Sequence, residues 1–165
     1  MSDGPRFEDA RFEDSGEQPL RLRAEAAEDL GIISALVQDA VTGRADMAWL
    51  AKRHRFTLLL NRFRWEDAPA AERQGRAFER VRALLSFDGA LRVRSEGIDP
   101  EDREAVLSLL SIRFEPGADG AGTVLLIFAG DGEIAIDVEC LDVTLADVTR
   151  PYLAQATRAP HHPTD

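Results

Sequence analysis

The stretch Thr123-Val124-Leu125-Leu126-Ile127-Phe128-Ala129-Gly130-Asp131-Gly132-Glu133-Ile134-Ala135-Ile136-Asp137-Val138-Glu139-Cys140 decides the fold class. Gly130 and Gly132 flank Asp131 between two apolar runs, which is turn chemistry between strands. Side chains directly opposite each other in an antiparallel pair share one face of the sheet. A three-residue loop through 130–132 therefore predicts Phe128 opposite Ile134, Leu126 opposite Ile136 and Val124 opposite Val138, with all six on one face. Leu125 and Ile127 fall on the other face, so helices or a partner, such as a second copy of the chain, must cover it.

Period 2 extends through residues 47–140. Residues 47–51 and 56–65 read as two strands joined by the basic turn Lys52-Arg53-His54-Arg55, and residues 106–114 and 123–128 read as two more. At Asp88-Gly89, a three-residue loop through Ala90 sets Leu85 opposite Val93 and Phe87 opposite Leu91. That hairpin carries Arg80, Arg82, Arg92 and Arg94 on its other face, with Arg82 opposite Glu96. Upstream, residues 20–23 form a short strand. Leu30, Ile33, Val37 and Val41 then recur at helical intervals over 26–41, with Gly43 as the C-cap. Downstream, Leu141, Leu145, Val148 and Tyr152 predict a closing helix that starts at Asp142 and ends near Pro151. The expected fold class is α+β: a largely antiparallel sheet of about seven strands with one N-terminal and one C-terminal helix. That order is similar to a pleckstrin-homology-like roll.

The chain of 165 residues, 44% hydrophobic, is long enough for one domain with its own core. Residues 19–156 are expected to form that domain. Residues 1–18, with the echo Arg6-Phe7-Glu8-Asp9 and Arg11-Phe12-Glu13-Asp14, read as a disordered acidic tail, and 157–165 as a second tail. Thirty acidic residues against twenty basic ones give a net charge of -10, which repels phosphate backbones and argues against a nucleic-acid partner. No apolar run approaches a membrane span. One cysteine cannot form an intrachain disulfide, and the first nine residues lack an apolar signal core, so the expected compartment is the cytoplasm.

The sequence offers little catalytic chemistry. It contains no Gly-x-Ser-x-Gly elbow, and Cys140 is expected to pack on the apolar face of its strand. His54 reads as a surface turn residue, and His161-His162 lacks the spacing of a zinc site. Residues 117–122 are Gly-rich but lack the following Lys-Ser/Thr of a phosphate-binding loop. No catalytic residue, metal or cofactor is predicted, and nothing positive points to an enzyme.

Lys52 is the single lysine among twenty cationic residues, and arginine suits bidentate anion contacts. The first functional expectation is a non-enzymatic domain that binds a protein partner or a second copy of itself. The alternative is a module for an anionic small molecule or headgroup, bound through Arg80, Arg82, Arg92 and Arg94 with Lys52, Arg53 and Arg55. A partner-binding domain should show a contiguous apolar patch; a ligand module should show a concave pocket on which two or more arginines converge.

Three phrases carry a resemblance: Ala24-Glu25 leading to Glu28-Asp29-Leu30 and Ile33-Ser34-Ala35; Arg55-Phe56-Thr57-Leu58-Leu59-Leu60-Asn61-Arg62-Phe63-Arg64-Trp65-Glu66; and Val138-Glu139-Cys140-Leu141-Asp142. Together they resemble a family of small bacterial proteins classed as a domain of unknown function, over roughly residues 20–153. The resemblance implies a single compact domain and brings no activity, cofactor or catalytic residue with it.

Overall fold

The computed structural model describes residues 19–149 and the backbone of the short strand at 152–153; the two expected tails lie outside the described residues. Eleven strands form one sheet: β1 (Arg21–Ala24), β2 (Val41–Gly43), β3 (Met47–Leu50), β4 (Arg55–Phe63), β5 (Glu79–Asp88), β6 (Ala90–Glu96), β7 (Val106–Pro116), β8 (Gly122–Phe128), β9 (Glu133–Val138), β10 (Val143–Asp147) and β11 (Tyr152–Leu153). Helix α1 (Ala27–Leu36) follows β1, and the short α2 (Ala68–Arg73) follows β4. The strand order is β1-β10-β5-β4-β2-β7-β8-β9-β6, with β3 added to β4 and β11 to β5. All of the pairings are antiparallel.

The strands fall into two ladders joined where β2 pairs with β7. Both ladders turn their apolar faces to one core. Leu58, Leu85 and Leu145 enter it from the first ladder, Leu126, Phe128 and Ile136 from the second, and Leu30 and Ile33 from α1. Each such side chain contributes about 1.5–3 kcal/mol by leaving water.

The chain passes from the first ladder to the second at Gly89, the one residue between β5 and β6. Its φ of 74° is a left-handed conformation that glycine adopts without steric cost. The corner is pinned from both sides. The Ala90 N–H donates to the His54 carbonyl at 3.0 Å, and the Glu139 N–H donates to the Gly89 carbonyl at 3.0 Å.

The antiparallel, sheet-rich α+β class holds, but four details differ from expectation. The closing helix is strand β10: Leu141, Val143 and Leu145 are buried at period 2, and β10 inserts between β1 and β5. The edges of two neighbours outweigh a helical spacing that the same leucines also satisfy. With eleven strands and this closing strand, the seven-strand roll closed by a C-terminal helix is not the architecture. Helix α1 stops at Leu36, because Asp39 donates to and Ala40 accepts from the backbone of Leu109, which turns the chain into β2. Gly43 has φ -93° in that strand and does not cap the helix. The β8–β9 hairpin keeps the expected facing but slips by two residues, so that Leu126 opposes Ile134 and Val124 opposes Ile136. A two-residue slip preserves every facing, so alternation alone leaves it open. Finally, β5 and β6 do not pair with each other. β5 lies between β4 and β10, and β6 pairs with β9.

At the end of the first ladder the core face carries charge. Arg62 continues the inward row of Phe56, Leu58 and Leu60 and is fully buried. Its guanidinium donates to Asp147 at 3.1 Å and to Glu66 at 2.8 and 2.9 Å. Asp147 sits opposite Ala83, one strand away, and also accepts the Leu20 N–H at 3.0 Å. The neighbouring Arg64 pairs with Glu79, and Arg76 pairs with Asp67 at 3.2 Å. Burial pushes Glu66 up, but the hydrogen bonds and charge of Arg62 outweigh it, and the carboxyl titrates below its ordinary range.

Removing one partner of a buried pair leaves the other charge uncompensated. Asp147→Ala should therefore cost about 3 kcal/mol in urea unfolding at pH 7, near the lower limit for such pairs because Glu66 still holds Arg62. Glu66 stays ionised at pH values where the unfolded chain has already taken up its proton. Its contribution is present above the ordinary carboxylate range and is lost as pH falls through its lower native value. Urea midpoints between pH 6 and pH 3 should show that loss, and Glu66→Gln should make the profile flatter.

Candidate functional site

Antiparallel register places the side chains of the site. Met47 lies opposite Leu58 and Trp49 opposite Phe56, so β3 turns both toward the interior. On β6, Val93 lies opposite Ile136 and Ser95 opposite Ile134, which aims them the same way. Among the described residues β3 pairs only with β4 and β6 only with β9, so each presents there an unpaired edge. The two edges meet where Ala90 bonds to His54 and stand apart above it. The gap is a pocket of about 350 Å³ with Met47, Trp49, Phe56, Val93, Ile98 and Ile134 among its lining residues.

Arginines form its cationic rim. Arg44 comes from the 3-10 turn after β2 and Arg103 from the loop before β7, while Arg94 borders the pocket from β6 at a register position that faces away from Val93 and Ser95. No acidic residue lines the pocket among the described residues. The guanidinium of Arg94 donates to Asp137 at 2.6 Å, on the face opposite Ile134 and Ile136. Burial pushes Asp137 up, but the Thr123 hydroxyl and Arg94 together hold it below its ordinary range. Arg44 and Arg103 form no ion pair with any described residue.

The rim is held by backbone. The Arg44 N–H donates to the Ala105 carbonyl at 2.9 Å, which ties the 3-10 turn to the loop over residues 97–105. That loop leaves β6 at Gly97, whose φ is 73°. A β-carbon there would stand 2.4 Å from the carbonyl oxygen of Asp131, and one on Gly132 would stand 3.1 Å from Ile98 Cγ1. The bare backbone of the β8–β9 turn is thus the shelf on which Ile98 reaches the pocket.

The residues expected to bind an anion or partner are spread over several places. Arg80 and Arg82 lie on β5 and Arg92 and Arg94 on β6, and no ladder joins them into one face because those strands belong to different pairings. The Arg80 guanidinium carbon lies 6.0 Å from the centre of the Phe63 ring. Arg82 lies opposite Asn61 rather than Glu96, and its N–H donates to Thr149 Oγ1 at 3.0 Å. Arg92 is exposed. Lys52 and Arg53 are exposed in a 3-10 turn, and Arg55 pairs with Asp88 at 2.6 Å. Of these seven only Arg94 reaches the pocket. Cys140 is exposed beyond the end of β9, a correction to its expected burial, because the strand stops at Val138. Leu125 is nearly buried at 8% exposure and Ile127 half-buried, so the second face of that hairpin is largely covered.

Sequence reasoning missed Arg44 and Arg103, which lie between the strands read from alternation and carry no local signal. It also missed Arg62, for which a signal existed: its even number continues the row of apolar positions from Phe56 to Leu60.

Among the described residues no three His, Cys, Asp or Glu side chains group as metal ligands, and no helix is long and apolar enough to cross a membrane. A family model described as a protein of unknown function, DUF2948, matches residues 20–162. The chain belongs to the DUF2948 family. No curated protein and no solved structure matches it. The DUF2948 match spans both ladders and the whole pocket.

Gly97→Ala should strain the left-handed backbone and drive a methyl into the Asp131 carbonyl, costing at least about 2 kcal/mol in urea unfolding. The displaced Ile98 should also shift the amide resonances of Arg103 and Ile134 in a proton–nitrogen NMR spectrum, while those around Asp147 stay in place.

Proposed function

We propose that this protein is a non-enzymatic binding module that takes up a small anion with an apolar body in the seam pocket, its charged end held by Arg44 and Arg103. One observation carries the reading. In a chain of net charge -10, a concave pocket that carries Met47, Trp49 and Phe56 also carries Arg44 and Arg103, and among the described residues no acidic residue lines it. A hydrogen bond to an ionised group contributes about 1.5–3 kcal/mol, enough to select an anion over its neutral counterpart. Met47, Trp49 and Phe56 supply a soft apolar and aromatic surface for the body of the ligand. The chemistry available is recognition. The pocket lining offers one hydroxyl, Ser95, and no acid or base beyond the arginines.

A protein-adaptor role has less support, because among the described residues the large exposed apolar side chains Ile32, Leu84, Leu91, Val106 and Val148 lie on separate segments, and in the adjacent pair Trp49 and Leu50 the tryptophan lines the pocket. We take the working compartment to be the bacterial cytoplasm, where a single exposed thiol stays reduced.

Isothermal titration with 2-naphthyl phosphate and with neutral 2-naphthol tests the reading. The phosphate should bind at least tenfold more tightly, and Arg44→Ala/Arg103→Ala should abolish that preference while leaving the far-UV spectrum unchanged. Equal affinity for the two compounds, or no loss in the variant, would overturn it.

A further inference from the structure

The seam pocket asks for an aromatic or apolar group with negative charge beside it. The chain contains that pattern twice, in Phe7-Glu8-Asp9 and Phe12-Glu13-Asp14. Residues 1–18 hold six acidic residues and two arginines, a net charge of -4, opposite in sign to the rim of Arg44 and Arg103. An extended segment also suits the walls, because the outer edges of β3 and β6 are unpaired and their backbone groups are open to a further strand.

Chain length permits the contact. Leu20 lies beside Asp147, with β10 and β5 between it and β4, and the register there matches Leu60, four residues from Phe56 at the pocket. At strand spacings of about 4.8 Å and rises of about 3.3 Å per residue, the separation is about 20–30 Å along the sheet. The twelve residues from Phe7 to Pro19 reach about 40 Å when extended. A tether of that length keeps its end at roughly millimolar effective concentration.

Resting on the ligand reading above, we propose that the acidic leader of this chain, anchored by Phe7-Glu8-Asp9, docks in the seam pocket of its own molecule and competes with the anionic ligand. The leader thereby sets a threshold: only an anion that outcompetes a tethered mimic enters.

The experiment uses the full chain and the full-length variant Phe7→Ala/Phe12→Ala, whose substitutions lie outside the described residues. Two readouts are compared: hydrogen exchange of residues 47–50 and 92–96, and the affinity for 2-naphthyl phosphate. The variant should exchange at least fivefold faster along both edges and bind the phosphate at least fivefold more tightly. Arg44→Glu/Arg103→Glu with the native leader should show the same faster exchange. Unchanged exchange and affinity in the leader variant would overturn the docking and leave the ligand reading standing. Leader-dependent exchange without phosphate binding in either chain would support the docking and sink the ligand reading. Protection that grows with protein concentration would overturn docking within one molecule, because the leader would then be reaching a second copy.

Discussion

The corner at Gly89 is the constraint on which the pocket depends. A single left-handed residue moves the chain out of one ladder and into another, and no room remains for β5 and β6 to form a hairpin. Once β5 is taken by β4 and β10, β6 must find β9, and its other edge swings back toward β3. The bond between Ala90 and His54 closes the seam at its base, and among the described residues nothing pairs it above. A fully closed barrel would have removed both edges. Here the two edges remain, and the space between them is lined by whatever the strands turn inward.

The charged rim follows from what surrounds that space. Arg44 and Arg103 stand on segments without regular pairing, one tied by the Arg44 N–H to the Ala105 carbonyl and the other turned by the Asp99 and Asp102 carboxylates, which accept the N–H groups of Glu101 and Glu104. Several other arginines are matched: Arg23 with Asp142, Arg55 with Asp88, and Arg62 with Asp147 and Glu66. Arg44 and Arg103 instead line a pocket that, among the described residues, no acidic residue lines.

Much of the sheet was legible from alternation. The β3–β4 hairpin, the β7–β8 pair and the facing of β8 on β9 all follow from which side of a strand an apolar residue occupies. What alternation cannot carry is the identity of a partner. Leu85 and Phe87 are satisfied equally by Val93 and Leu91 across a turn or, as the structure has it, by Leu145 and Val143 from almost sixty residues away. The same ambiguity hid β10, since Leu141 and Leu145 fit period 4 as well as period 2, and only the vacant edges of β5 and β1 decide between them. The pocket was not legible, because it is a gap between two edges that are far apart in the chain and its free arginines lie in turns.

Arg62 also imposes an order of events on folding. It stands in the fourth strand, and the carboxylate that closes its pocket, Asp147, comes 85 residues later in the chain. While the chain emerges from the ribosome, β4 and β5 can zip together early, but the end of that ladder then holds a guanidinium half matched by Glu66 alone. β10 must slide between β5 and β1 before the charge is enclosed. The ladder is therefore closed by a contact that spans 85 residues of chain, and a contact of such sequence separation slows folding.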